Sequence, residues 1–281
     1  MKKGKRIIVV KIGTSVLSED GGISERAIKN IAYQIAELHG KEQSFILVSS
    51  GAILSGITIL GLNTTPHELS LTDKQVCASI GQPYLMSLYE KYFREKGIIT
   101  AQILFTEEDL ANQIAYKNVW RTLNALLKRN VIPIINENDA VSVKELLPVN
   151  PYVPDDVRFG DNDRLSAIIA SKLGGDLLIM LSDVDGYFEV SEDGSKRLVK
   201  RIEILNSELM KSAQGKGKLG RGGMKTKLQA AKIVAETGIE VVIANGTKQG
   251  IIKDILSGKD VGTRITPATK KKTTHYLLID R

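Results

Sequence analysis

The sequence has little cysteine and few aromatic side chains. Cys77 is the one cysteine among 281 residues, and phenylalanine, tryptophan and tyrosine together make up 5%. A single cysteine excludes an internal disulfide framework and leaves no cysteine cluster for zinc, which is typical of a reducing cytoplasm. We expect Cys77 to be a small core side chain. The scarcity of aromatic residues disfavours an RNA-binding surface, where bases stack on clustered rings.

Long apolar runs are also missing. No stretch reaches the roughly 18 apolar residues that a membrane span needs, and the N-terminus MKKGKRIIVVKIG lacks the features of a signal peptide. We therefore expect no membrane association and a cytoplasmic location. The formal net charge of +7, from 39 basic and 32 acidic residues, is common in cytosolic enzymes and does not by itself indicate a partner.

What the sequence does contain is an alternation of apolar runs with amphipathic segments. The apolar runs are continuous, which is typical of parallel strands covered on both faces. Between the first two runs a helix is predicted, with Ser24 as its N-cap and its end at Gly40. This rhythm predicts an α/β fold with a doubly wound sheet and ligands at the carboxyl ends of the strands. Strands are predicted at residues 6–12, 44–49, 98–104, 131–135, 176–181 and 239–244.

Four of the six predicted strands end in small or polar residues. These ends are GTS at 13–15, SSG at 49–51, NEND at 136–139 and SD at 182–183. A tight turn would explain any single one, but four together favour a site where backbone N–H groups approach an anion such as phosphate. No strand is followed by Gly-x-Gly-x-x-Gly, and no Gly-x-x-x-x-Gly-Lys-Ser/Thr loop occurs, so the two commonest nucleotide-binding folds are disfavoured.

A second anion-binding segment is predicted at GKGKLGRGGMKTK, residues 215–227. It has five basic residues, five glycines and no acid. A solvated loop would explain this composition, but a helix is predicted from Thr226 to Gly238. The loop would therefore deliver Lys227 to a helix N-terminus, where a lysine is unfavourable unless an anion lies beside it.

Two further positions have both a structural and a functional interpretation. Lys11 ends the buried run IIVV, so it either reaches solvent from a core strand or directs its ammonium group at an anion. Asp161, Asn162 and Asp163 open a predicted helix, where acids suit the helix dipole without any further role. The three can also face a crevice, with Asn162 donating to a carboxylate and Asp163 pairing with lysines.

Six segments carry a family resemblance. The segments are VVKIGTSVL, VSSGAI, PIINENDAV, FGDNDRLSAIIA, LLIMLSDVDGYF and GRGGMKTKLQAA. Together, in this order and over residues 6–246, they resemble the glutamate 5-kinases of the amino-acid kinase family. The resemblance implies a three-layer α/β sandwich with a mainly parallel central sheet. It also implies transfer of a phosphoryl group from ATP, with Mg²⁺, to the γ-carboxylate of L-glutamate, the first step of proline biosynthesis.

The same resemblance implies roles for individual residues. Lys11 and Lys227 would contact the transferring phosphoryl group, and Asp163 would hold both lysines in place. No protein metal ligand is implied, because Mg²⁺ is held mainly by the phosphates of ATP. The implied glutamate-binding residues are Ser50, Gly51, Asp139 and Asn162. The implied ATP-binding residues are Lys11, Gly13, Ser182, Asp183, Arg221, Gly222, Gly223, Met224, Lys225, Thr226 and Lys227.

The resemblance also bears on domains and partners. It implies a kinase domain at residues 1–268, with a substrate half to about 170 and a nucleotide half after it, and a basic tail at 269–281. The proline-rich segment 140–160 would be a substrate lid linked to inhibition by proline, although an ordinary surface loop also fits. A homo-oligomer, dimer or tetramer, is implied, with glutamyl phosphate reductase as a candidate partner and no nucleic acid.

Some features leave alternatives open. Arg221 and Lys225 stand where many family members have Thr and Ser, so their contacts are undecided, and the chain resembles the form without a C-terminal domain of the RNA-modification type. Acetylglutamate kinase is the nearest rival activity. A catalytically silent nucleotide-binding regulator would keep the glycine loop but lose a phosphate lysine or the aspartate, and Lys11, Lys227 and Asp163 are all present.

Overall fold

The structure is a computed structural model. It describes residues 5–40, 42–106, 109, 112–141, 162–191, 193–205, 209–210 and 223–267. Asp161, Arg221, Gly222, nearly all of the predicted lid and the predicted C-terminal tail lie outside these residues.

Within the described residues, a sheet of eight strands forms the middle layer. The strands, in their order across the sheet, are β10 (Arg201–Ile202), β12 (Thr263–Ile265), β11 (Glu240–Asn245), β7 (Leu177–Ser182), β1 (Arg6–Ile12), β4 (Gln43–Ser49), β6 (Ile132–Glu137) and β5 (Thr100–Phe105). The six strands from β11 to β5 are parallel to one another. Strand β12 runs antiparallel to β11, and β10 is parallel to β12.

All six predicted strands are present, each within two residues of its predicted limits. The sequence analysis did not predict β10 and β12, nor two short hairpins that pair β2 (Ser18–Glu19) with β3 (Gly22–Ile23) and β8 (Phe188–Val190) with β9 (Lys196–Leu198). Strands of two or three residues are too short to show a periodic pattern.

Helices cover both faces of the sheet. They are α1 (Glu25–Leu38), α2 (Ala52–Leu60), α3 (Leu71–Arg94), α4 (Gln113–Lys128), α5 (Asn162–Lys172), α6 (Met224–Glu236) and α7 (Ile251–Leu256), with a short 3₁₀ helix at Thr14–Val16. Apolar side chains of α1, α3 and α7 form one core with the sheet, and those of α4, α5 and α6 form the other. The expected three-layer sandwich is thereby confirmed.

The alternation of side chains along β1 decides where Lys11 lies. Val10 and Ile12 belong to the core under α1 and α3, whereas Val9 belongs to the core under α5 and α6. Because successive side chains of a strand point to opposite faces, Lys11 shares the face of Val9. Its side chain therefore extends toward α5 and α6, whose first turns lie at the same edge of the sheet.

The ends of two helices test the sequence-based limits. Ser24 caps α1 as predicted, because its Oγ accepts a hydrogen bond from the Ala27 N–H at 3.2 Å. Helix α6 begins at Met224, two residues before the predicted start. Gly223 is its N-cap with an extended backbone and no side-chain cap, and Met224 packs against the core.

Helices α2 and α3 make backbone contact through glycines. A Cβ atom added to Gly81 would lie 2.0 Å from the carbonyl oxygen of Ala52, and one added to Gly56 would lie 2.0 Å from the carbonyl oxygen of Cys77. Side chains at these positions would force the helices apart. The first turn of α2 is thereby held against α3 at the edge of the sheet, and Cys77 is buried in this contact as expected of a core side chain.

Candidate active site

The four polar strand ends singled out in the sequence belong to neighbouring strands. They follow β7, β1, β4 and β6, which lie side by side in the sheet. The chain leaves β1 toward β4 on one side and returns to β7 on the other, so β1 marks a topological switch point where α/β folds bind ligands. A cleft of about 630 Å³ lies over these strand ends.

Most of the predicted site residues within the described ranges line this cleft, and five do not. Asp163 is completely buried behind the cleft wall, and Gly223, Met224, Lys225 and Thr226 are not part of the wall. Asp163 therefore does not itself face the crevice, although it pairs with two lysines that do, as the sequence suggested, while the neighbouring Asn162 lines the cleft. The predicted residues that line the cleft are Lys11, Gly13, Ser50, Gly51, Asp139, Asn162, Ser182, Asp183 and Lys227.

Two lysines meet at the carboxylate of Asp163. The Lys11 Nζ atom lies 2.6 Å from Asp163 Oδ1, and the Lys227 Nζ atom lies 3.3 Å from Asp163 Oδ2. Thr226 Oγ1 donates a hydrogen bond of 2.9 Å to the same Oδ2. Lys11 and Lys227 are 4% and 5% exposed and Asp163 is 0% exposed, so all three charges are almost fully removed from water.

The electrostatics of this group favour an anionic ligand. Burial raises the pKa of Asp163, but the two ammonium groups outweigh burial and lower the pKa to about 2, so the carboxylate is ionised at neutral pH. Two ammonium groups and one carboxylate leave one net positive charge within this group of three side chains. Asp163 places a negative charge beside Lys227 in the first turn of α6. The binding of a phosphate by this segment stays a prediction.

The two lysines and Asp163 mark one end of the cleft, and a neutral polar cluster lies at the other end. The Asn162 Nδ2 group donates to Ser50 Oγ at 2.9 Å, to Asn136 Oδ1 at 3.0 Å and, at 3.4 Å, to the carbonyl oxygen of Ser49. Asn136 in turn donates from Nδ2 to Oε1 of Gln82, on α3, at 3.0 Å. The N–H groups of Asn162 thus have acceptors within the protein, and donation from Asn162 to a substrate carboxylate stays a prediction.

The backbone at this end is shaped by α2. Gly51 is the N-cap of α2 and has φ of 108°, a conformation that favours glycine, and residues 51–54 line the cleft. Ser49 Oγ donates to the carbonyl oxygen of Ser50 at 3.0 Å and lies 2.9 Å from the hydroxyl of the buried Tyr89. Helix α3 therefore supports the end of β4 through Tyr89 and the end of β6 through Gln82.

The end of the cleft with the two lysines also includes the residues after β1 and β7. Asp183 Oδ1 accepts hydrogen bonds of 3.1 Å from both Ser15 Oγ and Ser182 Oγ. The Gly13 N–H donates to the carbonyl oxygen of Leu181 at 3.2 Å, which holds the two strand ends together. Of these residues, Gly13, Ser182 and Asp183 are positions that the family resemblance links to the nucleotide.

Sequence reasoning missed several parts of the wall. The tip of the β2–β3 hairpin, with Asp20 and Gly21, lines the cleft, and so do residues 62–68 and Lys74. Within that loop Glu68 accepts hydrogen bonds from the N–H and hydroxyl of Thr65. The polar run NTTPHE at residues 63–68 indicates a loop, but nothing in its composition places it beside the carboxyl ends of the strands.

No group of three or more His, Cys, Asp or Glu side chains suited to a metal ion occurs in the described ranges. None of the helices in those ranges has the length and apolar character needed to cross a membrane.

Comparison with known proteins decides the family. The family model for the amino acid kinase family matches residues 6–245 of this chain. The chain belongs to the amino acid kinase family. A carbamate kinase from Giardia lamblia, solved bound to AMP-PNP, shares the fold with a TM-score of 0.62 at 18% identity, over 95% of this chain and 99% of that one.

Within this family, the chain is similar to curated glutamate 5-kinases. The Clostridium acetobutylicum protein is 44% identical over 94% of this chain and 95% of its own length. The Clostridium tetani protein is 40% identical over 93% and 94%. The longer Caldanaerobacter subterraneus protein is 43% identical over 92% of this chain and 68% of its own length. The amino-acid kinase resemblance, and its glutamate 5-kinase branch, are therefore confirmed.

Proposed function

We propose that this chain transfers the terminal phosphoryl group of ATP to the γ-carboxylate of L-glutamate. The observation that carries the proposal is the pair of buried lysines from β1 and α6 that share the carboxylate of Asp163 at the edge of the cleft. The names of the similar enzymes support glutamate as the acceptor. The neutral cluster and Asp139, at the other end of the same cleft, support an amino acid as the second ligand.

The chemistry requires positioning and charge stabilisation more than proton transfer. An oxygen of the γ-carboxylate forms a bond to the terminal phosphorus of ATP while the bond from that phosphorus to the bridging oxygen breaks, which yields an acyl phosphate and ADP. The attacking carboxylate is ionised at neutral pH and needs no general base. Lys11 and Lys227 would neutralise charge that spreads over the phosphoryl oxygens, and Asp163 would keep both ammonium groups in position.

Mg²⁺ belongs to this proposal as a companion of ATP. When bound to the phosphates it supplies further charge neutralisation. The carboxylate nearest to the two lysines is unsuited to hold a cation, because both oxygens of Asp163 already contact ammonium groups and one also accepts from Thr226. We therefore infer that the metal is held mainly by the nucleotide. The proposed nucleotide contacts are Lys11, Gly13, Ser182, Asp183, Lys227 and the backbone of residues 221–226.

The direct test compares acceptors. ATP consumption is measured with glutamate, N-acetylglutamate, aspartate and UMP, and hydroxylamine traps any acyl phosphate as a hydroxamate. We expect glutamate to support Mg²⁺-dependent ADP release and hydroxamate formation. Faster turnover of N-acetylglutamate would assign the rival activity, and the absence of ADP release with every acceptor would indicate a silent nucleotide-binding regulator.

We also propose that proline inhibits by competing for the glutamate pocket. Proline carries an ammonium group and a carboxylate like those of glutamate, and Asp139 lines the cleft where it can pair with such an ammonium group. Asp139→Ala should weaken the binding of both ligands together. Unchanged proline binding in a variant that has lost glutamate binding would show that the two sites are separate.

The remaining parts of the proposal rest on the family resemblance. They are a homo-oligomeric state, dimer or tetramer, a cytoplasmic location, and delivery of the labile product to glutamyl phosphate reductase. The division into a substrate half to about residue 170 and a nucleotide half from 171 to 268 fits the placement of the glutamate residues before that point and of most ATP residues after it. Sedimentation of the purified protein tests the oligomeric state.

A further inference from the structure

The hydrogen bonds of the neutral cluster have a fixed direction. The carbonyl oxygen of Ser49 can only accept, so the amide nitrogen of Asn162 must face it. That nitrogen also donates to Asn136 Oδ1, which leaves the Asn136 nitrogen to face the oxygen of Gln82. A reversal of any one of these amides would set donor against donor or acceptor against acceptor in a buried site.

The three amides form a relay that runs from Gln82 through Asn136 to Asn162, and Gln82 lies at the end away from the cleft. It lies on α3 next to Gly81, at the point where α2 and α3 touch, and it is 7% exposed while Asn136 is 2% exposed. Its Oε1 atom accepts from the Asn136 Nδ2 group, which needs an acceptor because it is buried. Gln82 does not line the cleft, so any effect of this residue on a ligand passes through Asn136 and Asn162.

The direction of the relay determines what the cleft offers. Both amide hydrogens of Asn162 point to acceptors of the protein, so the group left for a ligand is its carbonyl oxygen, which can only accept. Ser50, which accepts from Asn162, keeps its own hydroxyl hydrogen for a ligand acceptor. The site therefore offers the Asn162 carbonyl oxygen, supported by Asp139, as an acceptor for an ammonium group. It offers the Ser50 hydroxyl as a donor to a neighbouring carboxylate.

We propose that Gln82 is a positioning residue that selects for a free α-ammonium group on the acceptor substrate, by fixing the Asn162 side chain with its carbonyl oxygen toward the cleft. This inference rests on the proposed function, because it concerns the glutamate end of the same site. Without the Gln82 acceptor, the buried Asn136 amide can turn over and set its N–H group against that of Asn162. Asn162 then keeps only the Ser49 and Ser50 oxygens as acceptors, and its carbonyl oxygen is held toward the cleft less firmly.

The test removes the acceptor with Gln82→Met, which keeps the length of the side chain. Loss of one well-directed hydrogen bond is expected to raise the KM for glutamate about tenfold and to leave kcat and the KM for ATP within about twofold. The binding of 2-oxoglutarate, which has a keto oxygen in place of the ammonium group, should be unchanged or tighter. A merely structural role would weaken both ligands alike.

Two variants complete the design. Gln82→Glu, which in its protonated form keeps an acceptor in the same place, should retain the glutamate KM and the preference over 2-oxoglutarate. Gln34→Met is the matched control, because Gln34 is a buried glutamine on α1 whose oxygen accepts from the Ile252 N–H. It should lower thermal stability without changing the preference between the two ligands.

The outcomes separate this inference from the proposed function. If the wild-type enzyme phosphorylates glutamate and folded Gln82→Met keeps the glutamate KM, Gln82 has no positioning role. If Gln82→Met does not fold, loss of the preference in Gln82→Glu overturns the inference, and its retention supports it. A wild-type protein that does not phosphorylate glutamate would refute the proposed function itself.

Discussion

The two ends of the cleft are built on different physical principles. At one end, three charges from β1, α5 and α6 meet within 3.3 Å, and at the other a chain of neutral amides runs from α3 through β6 to α5. The charged group lies on the sheet face under α5 and α6, and the amides approach from the face under α3. They meet at the consecutive residues Asn162 and Asp163, so one helix start serves both ends.

The difference matches the two ligands that the site is proposed to hold. A phosphoryl group in transfer carries charge on several oxygens and is best stabilised by ammonium groups, whose attraction has little directional preference. An amino acid presents a donor and an acceptor at fixed positions, which directional hydrogen bonds distinguish better. We therefore propose that charge governs the rate at one end and that hydrogen-bond direction governs selectivity at the other.

The largest effect should follow from removing one lysine of the charged group. Lys11→Met keeps the length of the side chain but loses the ammonium group, so kcat should fall by about a hundred- to a thousandfold, a loss of roughly 3 to 4 kcal/mol of transition-state stabilisation. Lys227→Met should behave in the same way. The KM for glutamate should change much less, because the substitution does not alter the neutral cluster at the other end of the cleft.

The control for both substitutions is Lys232→Met, on the exposed side of α6, which should leave kcat unchanged. Circular dichroism and thermal unfolding establish that each variant is folded. Near-normal turnover by folded Lys11→Met would mean that this lysine is a snorkelling strand-end residue and that the proposed mechanism is wrong.

Asp163→Asn should reduce kcat by a comparable factor, because it leaves two buried lysines without their shared counter-ion. Removal of one partner from a buried ion pair also costs about 3 to 5 kcal/mol of stability. If Asp163 acts by orienting the lysines, the double variant Lys11→Met with Asp163→Asn should be far from additive in kcat. Additive losses would indicate that Asp163 acts independently of Lys11.

The next largest effect concerns the free energy of unfolding, which should depend on pH at the charged end of the cleft and not at the neutral end. The pKa of Asp163 is about 2 in the folded protein, below its ordinary value of 3.8, so its stabilising contribution is present above pH 4 and is lost as the pH falls toward 2. The contribution is about 2 kcal/mol. The free energy of unfolding, measured from pH 6 to pH 3, should therefore fall more in the wild type than in Asp163→Asn.

The amide relay contains no titratable group, so the stability lost in Gln82→Met should stay constant over the same pH range. Equal pH profiles for wild type and Asp163→Asn would show that Asp163 is not held in its ionised form by the two lysines.

The sequence anticipated the charged end better than the neutral one. Lys11 interrupts an apolar strand, and Lys227 lies in the first turn of a helix. A charged lysine is energetically unfavourable at both positions, so the sequence alone indicates that each has a special role. Gln82 lies inside an amphipathic helix, where its spacing resembles that of a core side chain. Its partner Asn136 lies near the end of β6, in another part of the chain, and the packing of α3 and β6 in one core brings the two amides together.

The sequence also did not show which polar side chain at the start of α5 would be buried. In the segment GDND both aspartates suit a helix start, and helical spacing alone does not say how far each one lies from the crevice. The structure places Asp163 entirely inside while the preceding Asn162 lines the cleft. That distinction depends on the tilt of α5 over the sheet, which is set by packing against β1 and α6.

The smallest effect is expected from Tyr89→Phe, at the back of the neutral end. Tyr89 is completely buried, and burial raises the pKa of its hydroxyl, so the group stays protonated. Because the Ser49 hydroxyl donates to the carbonyl oxygen of Ser50, Tyr89 is the donor in its contact with Ser49. Phenylalanine keeps the ring and its stacking on Phe93 and loses this one hydrogen bond, which is worth about 1 kcal/mol.

Thermal unfolding should register this loss in Tyr89→Phe, whereas steady-state kinetics should show at most a threefold rise in the KM for glutamate, consistent with one neutral hydrogen bond. The value of kcat should not change, because Tyr89 supports the end of β4 from the α3 face and contacts neither lysine. A fall in kcat larger than the rise in KM would contradict the separation of the two ends, since it would mean that the α3 face also positions the group that stabilises the transferring phosphoryl.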